Sequence, residues 1–303
     1  MPLTFYIMKA SFLFLFFTII VSLAAAQTGR YVEIEGHRGA RGLLPENTVP
    51  SFIKAVELGV DTIELDVVVS KDNKIVVSHE PWFSHAISLD AKGNAITEAK
   101  EKEHNIYKMS YAEAKRYDVG SIGNTGFPEQ MKLKVYKPLL SHVFEEVQKH
   151  IRTKSLKQVS YNIEIKSNPQ GDGTFHPTPP EFAKLVFDEI LKYELQNHVI
   201  VQSFDVRPLQ ELRKMPRKLP LALLVSNRDG FSKNIERLGF QPNTYSPHFS
   251  LVDEGLVRSV HEKKMKIVPW TVNEVADLER MKTFDLDGII TDYPDRAVKI
   301  FRR

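Results

Sequence analysis

Two periods of apolar spacing alternate along most of this chain. Short apolar runs of strand length recur between segments with helically spaced apolar positions, and Gly, Pro, Asn or Asp stands at most joins. The first strand is expected over Tyr31 to His37. Thr48-Val49-Pro50-Ser51 then opens a helix with Phe52, Ala55, Val56 and Leu58 at helical spacing, stopped by Gly59. A second strand is expected from Thr62 to Val68. The pattern continues as helix Leu139 to Ile151, strand Tyr161 to Ile165, helix Pro180 to Leu195, strand Val199 to Gln202 and helix Arg207 to Lys214. Strand Leu221 to Val225, helix Phe231 to Leu238, strand Thr244 to Ser246, helix Leu251 to Lys264, strand Lys266 to Thr271, helix Asn273 to Phe284 and strand Asp287 to Thr291 complete it. Eight strands joined by helical crossovers predict an α/β fold, a parallel sheet closed as a (β/α)8 TIM barrel. An open doubly wound sheet is the alternative, weakened because no Gly-rich nucleotide-binding loop follows the first strand.

One hairpin interrupts the alternation. Val67-Val68-Val69-Ser70 and Lys74-Ile75-Val76-Val77-Ser78 flank the turn-forming Lys71-Asp72-Asn73. With Asp72 and Asn73 as a two-residue loop, Asp66 faces His79 across the strands. From about residue 80 to 138 no periodicity is legible, so this stretch reads as an insertion after the second barrel strand.

The first 26 residues stand apart. Lys9 is their only charge, Phe12 to Val21 is almost wholly apolar, and Ala24-Ala25-Ala26 before Gln27 matches a signal-peptide cleavage pattern. Export to a periplasm or the extracellular space is expected, with an uncleaved anchor as the alternative. The chain has no cysteine, which excludes both an acylated lipoprotein and a disulfide-stapled secreted domain. Residues 27–303 then read as a single barrel domain. The 41 basic and 38 acidic residues are interleaved, which argues against nucleic acid as a partner and against charge-driven membrane attachment.

The candidate chemistry gathers at expected strand ends. Glu64 and Asp66 are two apart on one strand and share a face, and Glu164 with Lys166 repeats that spacing on the next barrel strand. Three inward carboxylates are costly to bury unpaired, and a hard divalent cation with oxygen ligands, Ca²⁺ or Mg²⁺ more than zinc, is the economical explanation. His37 and His79 lie beside this cluster and suit a proton acceptor and a proton donor near neutral pH, with the division of roles open. His248 stays ambiguous; the other histidines are read as structural. Arg38 and Lys166 are candidate phosphate clamps, or else charge partners of the acids. Glu46 and Asn47 are supporting residues; Asn47 either orients a rim group or caps the first helix. Trp270, a large aromatic at a strand end, is a candidate to line a pocket for the apolar or cationic part of a substrate, or else belongs to the core.

These residues resemble those of the glycerophosphodiester phosphodiesterases, within the phosphatidylinositol-phospholipase-C-like barrels. The likeness runs through Gly36-His37-Arg38-Gly39, Pro45-Glu46-Asn47-Thr48, Glu64-Leu65-Asp66-Val67, Val77-Ser78-His79, Asn162-Ile163-Glu164-Ile165-Lys166, Gln202-Ser203-Phe204, Trp270-Thr271-Val272 and Asp287 to Pro294. The resemblance implies that Glu64, Asp66 and Glu164 hold one divalent cation and that His37 and His79 form the acid–base pair. It also implies hydrolysis of a small-molecule glycerophosphodiester to sn-glycerol 3-phosphate and an alcohol. A phosphodiesterase of the same barrel acting on lysophospholipids or phosphate-linked polymers is one alternative, and a non-catalytic glycerophosphodiester-binding protein is another. One departure stands out: the family's second histidine is usually followed by Asp, whereas Glu80 follows His79 here.

Overall fold

The computed structural model describes residues 30–302, so the leader expectation for residues 1–26 lies outside the described residues. Among the described residues nine strands form: β1 (Glu33–Gly36), β2 (Thr62–Val69), β3 (Ile75–Val77), β4 (Ser160–Ile165), β5 (Val199–Ser203), β6 (Leu221–Val225), β7 (Thr244–Pro247), β8 (Lys266–Ile267) and β9 (Gly288–Thr291). Eight are parallel, in the order β8-β7-β6-β5-β4-β2-β1-β9, and β3 hangs antiparallel from β2. The ring is nearly closed. Backbone amides of Asp287 and Ile290 donate to the carbonyls of Ile267 and Pro269 at 3.1 and 2.9 Å, joining the two ends. The structure is therefore the expected (β/α)8 barrel.

Helices α1 (Val49–Glu57), α3 (Leu140–Lys154), α4 (Pro179–Lys192), α5 (Val206–Lys214), α6 (Phe231–Leu238), α7 (Glu254–Glu262) and α8 (Val275–Lys282) form the crossovers, and the short α2 (Tyr111–Ala114) lies in the insertion. Their buried faces meet the outward residues of the strands, with Phe52, Phe144 and Phe182 packed beside Ile63, Leu65 and Ile163. Helix α9 (Pro294–Phe301), which the sequence pattern did not single out, follows β9 and carries Ala297 into the same core.

Two expectations need correction. Strand β8 spans two residues and not six: Pro269 has no N–H and interrupts the regular ladder, although the amides of Val268 and Trp270 still donate to the carbonyls of Tyr245 and Pro247 at 3.1 Å. The hairpin register also differs by one residue. Val67 pairs with Val77 and Val69 with Ile75, the amide of Ser70 donates to the carbonyl of Lys74, and Asp66 therefore lies opposite Ser78, not His79. The loop has three residues, with Asn73 at a positive φ of 55°, a conformation Asn tolerates and which suits a three-residue hairpin loop.

The insertion covers the hairpin. Val68 and Val76 point away from the main core and pack with Phe83, Ile96, Ile106, Ala114 and Val119 in a second, smaller cluster. Both faces of the hairpin are thus apolar.

Candidate active site

Parallel register puts the carboxylates side by side. Asp66 on β2 is the direct neighbour of Glu164 on β4, and Glu64 that of Asn162, so residues about a hundred positions apart share one layer of the barrel mouth. One oxygen each from Glu64, Asp66 and Glu164 lies within 4.8 Å of the others, and all three residues are buried. Burial, followed by repulsion from Asp66 and Glu164, pushes the Glu64 carboxyl well above its ordinary range. Burial likewise lifts Glu164 to about 7 against the opposing Lys166 ammonium. Burial works in the same direction on Asp66, but Arg38, His79 and Lys166 outweigh it and hold Asp66 well below the usual carboxylate range. Its Oδ1 is buried without a hydrogen-bond partner. Three hard oxygen donors, one of them orphaned, fit a divalent cation.

The β1–α1 loop supplies most of the frame. Its turn is tight: Gly39 has φ of 90°, and a Cβ there would lie 2.5 Å from Ser51 Oγ, so only glycine fits. Arg38, at a positive φ of 51°, donates its backbone amide to Glu64 Oε2 at 2.9 Å. Its guanidinium meets Glu46 Oε1 at 2.8 Å and Asp66 Oδ2 at 3.2 Å. Arg41 takes the other Glu46 oxygen at 2.5 Å. Burial favours a neutral Glu46, yet Arg38 and Arg41 hold its pKa at about 2. Asn47 donates to Asp66 Oδ2 at 2.8 Å and accepts the Asp66 amide at 3.2 Å, so it orients the metal-ligand candidate. It is not the cap; Thr48 holds that place in α1.

Each histidine is anchored at Nδ1 by a carboxylate. His37 Nδ1 lies 2.7 Å from Asp292 Oδ1, and Asp292 in turn accepts Asn273 Nδ2 at 2.7 Å. His79 Nδ1 lies 2.7 Å from Glu80 Oε1. A carboxylate can only accept, so in both rings Nδ1 donates and the neutral ring keeps its lone pair at Nε2. Both histidines line a cavity of about 200 Å³ with Arg38, Glu64, Glu164 and Lys166, and its far wall is Phe204 and Trp270. Burial lowers the pKa of both imidazoles; Asp292 opposes this at His37, and Asp66 with Glu80 opposes it at His79.

Every residue singled out from sequence thus lies at one end of the barrel. Lys166 Nζ contacts Glu164 Oε1 at 2.7 Å and lies 3.7 Å from Asp66 Oδ1, so both Lys166 and Arg38 pair with acids while facing the cavity. Trp270 donates Nε1 to the Ser246 carbonyl at 2.8 Å and stands edge-on to Phe204 with centroids 5.2 Å apart. His248 packs against the other side of Trp270 at 5.3 Å and does not line the cavity.

Sequence reasoning assigned no role to Asp292, Asn273, Arg41 or Gln202. Asp292 had a usable signal, an acid just past the C-terminal end of a barrel strand. Gln202 had none beyond its place on β5. It donates to Glu64 Oε1 at 3.0 Å and accepts from Asn162 Nδ2 at 3.1 Å, and Asn162 donates also to Glu35 Oε2 at 2.8 Å. A polar chain therefore runs down the barrel interior from Glu64 to Glu35. Burial raises Glu35 to about 7 despite the Asn162 hydrogen bond. Because the folded state holds this proton more tightly than an unfolded chain, where a glutamate titrates at its ordinary 4.5, stability falls as pH rises between 4.5 and about 7. We expect Glu35→Gln to raise Tm relative to the wild type at pH 8, by up to roughly 3 kcal/mol of stability, and to change little at pH 4. Thermal melts at both pH values decide it; equal effects at both would refute a proton held on Glu35.

Comparison with known proteins agrees with this geometry. The profile of the glycerophosphoryl diester phosphodiesterase family matches residues 37–296. A glycerophosphodiester phosphodiesterase of Bacillus altitudinis is 30% identical over 272 residues, covering 88% of this chain and 97% of its own. Another from Bacillus subtilis (strain 168) is 28% identical over 297 residues, covering 93% and 92%. Among solved structures, a Silicibacter pomeroyi DSS-3 protein assigned as a glycerophosphoryl diester phosphodiesterase superposes with a TM-score of 0.80 at 29% identity, covering 90% of this chain and 94% of its own. An Oleispira antarctica phosphodiesterase, solved with its product sn-glycerol-3-phosphate, shares the fold at a TM-score of 0.70 and 20% identity, covering 89% and 97%.

Proposed function

The chain belongs to the glycerophosphoryl diester phosphodiesterase family, and on that premise we propose that it hydrolyses small glycerophosphodiesters to sn-glycerol 3-phosphate and an alcohol by His37/His79 acid–base catalysis. The observation that carries this reading is the joint placement of both carboxylate-anchored histidines and the Glu64/Asp66/Glu164 cluster around one cavity. Glu64, Asp66 and Glu164 would hold a divalent cation, Ca²⁺ or Mg²⁺, which when bound supplies charge stabilisation to the phosphoryl oxygens.

The chain's own residues account for the remaining chemistry. One imidazole Nε2 removes the proton from the glycerol hydroxyl adjacent to the phosphoester, and that oxygen attacks phosphorus. The bond to the head-group oxygen breaks, and the other imidazole protonates the departing alkoxide. Water then opens the resulting cyclic phosphate with the two histidines in exchanged roles, leaving sn-glycerol 3-phosphate. Arg38 and Lys166 face the non-bridging oxygens, where negative charge shifts during each displacement. Asp292 and Glu80 keep the rings oriented and stabilise each imidazolium as it forms.

The Phe204 and Trp270 wall forms the head-group end. Phe204 exposes 42% of its surface beside the cavity, a position suited to a quaternary ammonium or small apolar group. Phe204→Ala is expected to raise KM for glycerophosphocholine roughly three- to tenfold with kcat nearly unchanged. An equal effect on glycerophosphoglycerol would remove the cation-recognition role.

The defining experiment follows glycerol 3-phosphate release from glycerophosphocholine, glycerophosphoethanolamine and lysophosphatidylcholine. Turnover of the first two supports the proposal, and turnover of the last alone would replace it with a lysophospholipid activity. The apolar leader and Ala24-Ala25-Ala26 support export to a periplasm or the extracellular space. A mature protein beginning at Gln27 would bear that out, and a cytosolic full-length chain would not.

A further inference from the structure

Beyond Glu80, the 80–138 insertion has no part in the chemistry above, yet its last residues reach the catalytic rim. Leu139 forms an antiparallel bridge with Val76, and the Val77 amide donates to the Pro138 carbonyl at 2.8 Å. That pairing adds an edge to the hairpin and places Lys137 opposite Ser78, the residue before His79. Lys137 is 6% exposed. Its Nζ donates to Ser78 Oγ at 2.6 Å, and Ser78 Oγ donates onward to the Glu80 carbonyl at 2.5 Å. The ammonium, the hydroxyl and the carbonyl thus close the turn Ser78-His79-Glu80 from behind.

A buried ammonium with one neutral hydrogen-bond acceptor is an expensive way to hold a turn. Burial pushes Lys137 down to about 8, and the carboxylates of Glu46, Glu80 and Asp66 resist that fall while Arg38 adds to it. The lysine is held from its own side as well. Tyr111 OH donates to the Lys137 carbonyl at 3.3 Å, and the Phe83 ring centroid lies 5.5 Å from Nζ. Tyr111, Phe83 and Lys137 all come from the insertion, so its packing against the outer face of the hairpin ends at the catalytic turn.

We propose that Lys137 is a positioning residue for His79: acting through the Ser78 hydroxyl, it fixes the turn that presents the imidazole to the substrate. The inference rests on His79 being one of the two acid–base groups. It gives the insertion a part in the reaction without contact to substrate, since Lys137 does not line the cavity. Lost anchoring leaves substrate binding intact and misplaces one proton-transfer group, and such a misplacement lowers turnover by roughly 10- to 100-fold.

The test compares kcat and KM for glycerophosphocholine in Lys137→Met, Ser78→Ala, His79→Ala and the double variant Lys137→Met/His79→Ala. Lys137→Met and Ser78→Ala should each lower kcat by roughly 10- to 100-fold at unchanged KM, and Lys137→Met should have no further effect once His79 is alanine. If Lys137→Met does not fold, Ser78→Ala alone and combined with His79→Ala gives the same comparison. Wild-type kcat in the folded single variants, a change confined to KM, or an equal loss in the His79→Ala background would each overturn the inference. Wild-type activity of His79→Ala would instead remove the catalytic reading on which it rests.

Discussion

His37→Ala is expected to lower kcat for glycerophosphodiester hydrolysis by roughly 10²- to 10⁴-fold, the range typical of a lost general acid or base. The size follows from how completely the ring is committed. Its Nδ1 is tied to Asp292 at 2.7 Å, Asp292 is tied to Asn273, and Nε2 lies 3.9 Å from Glu64 Oε2 at the cavity wall. Arg38, which Glu46, Asp66 and Glu64 keep protonated despite its burial, cannot take the place of the ring. KM should change little, since the phosphate still meets Arg38 and Lys166. Asp292→Asn should also lower kcat, as an amide offers the imidazolium no anion and its NH₂ group favours the tautomer in which Nδ1 accepts. Steady-state kinetics with thermal melts of each variant settle the matter: wild-type turnover in folded His37→Ala would sink the acid–base assignment.

Removal of divalent cations should abolish turnover and lower Tm, and adding back Ca²⁺ or Mg²⁺ should restore both. Burial and mutual repulsion push the Glu64 and Glu164 carboxyls above their ordinary range, so a bound cation relieves the cost of gathering three acids in one buried layer. At a hundredfold excess of cation over its Kd the folded state gains about 2.7 kcal/mol. Glu64→Ala removes one candidate ligand and the acceptor for the Arg38 amide and Gln202, so its turnover should fall below detection and its Tm should stop responding to cation. Chelator-insensitive turnover, or an unchanged Tm response in Glu64→Ala, would exclude the cluster as the metal site. The cation that restores activity at the lower concentration identifies the preferred one.

Much of the fold was legible because it depends on local pattern. The strands Leu221–Val225 and Thr62–Val69 are apolar runs of strand length, and Phe231–Leu238 repeats its apolar residues at helical spacing between Gly230 and Gly239. The metal-ligand candidates were legible for a similar reason: a carboxylate two residues from another within an apolar strand is hard to explain by packing. Helix α9 escaped because it follows the eighth barrel strand, past the last crossover the alternation requires, although Ala297, Val298, Ile300 and Phe301 pack against the core.

The hairpin separates what the two levels decide. Sequence determined that residues 67–78 fold back on themselves and return His79 to the rim near Asp66. It left the register undetermined, because a pattern of apolar and polar faces can fix register only where one face is buried and the other wet. Here Val67 and Val77 enter the main core, while Val68 and Val76 enter the cluster built by the insertion, so a one-residue slip changes no polarity. Tertiary structure made the choice, through the positive φ of Asn73 and the backbone pairing of Ser70 with Lys74. It also brought His37 to Asp292, Glu64 to Gln202 and Lys137 to Ser78. Those pairs lie 255, 138 and 59 residues apart in the chain. Residue type can say that a buried histidine needs a partner for Nδ1; only barrel closure, which sets β9 beside β1, decides which residue it is.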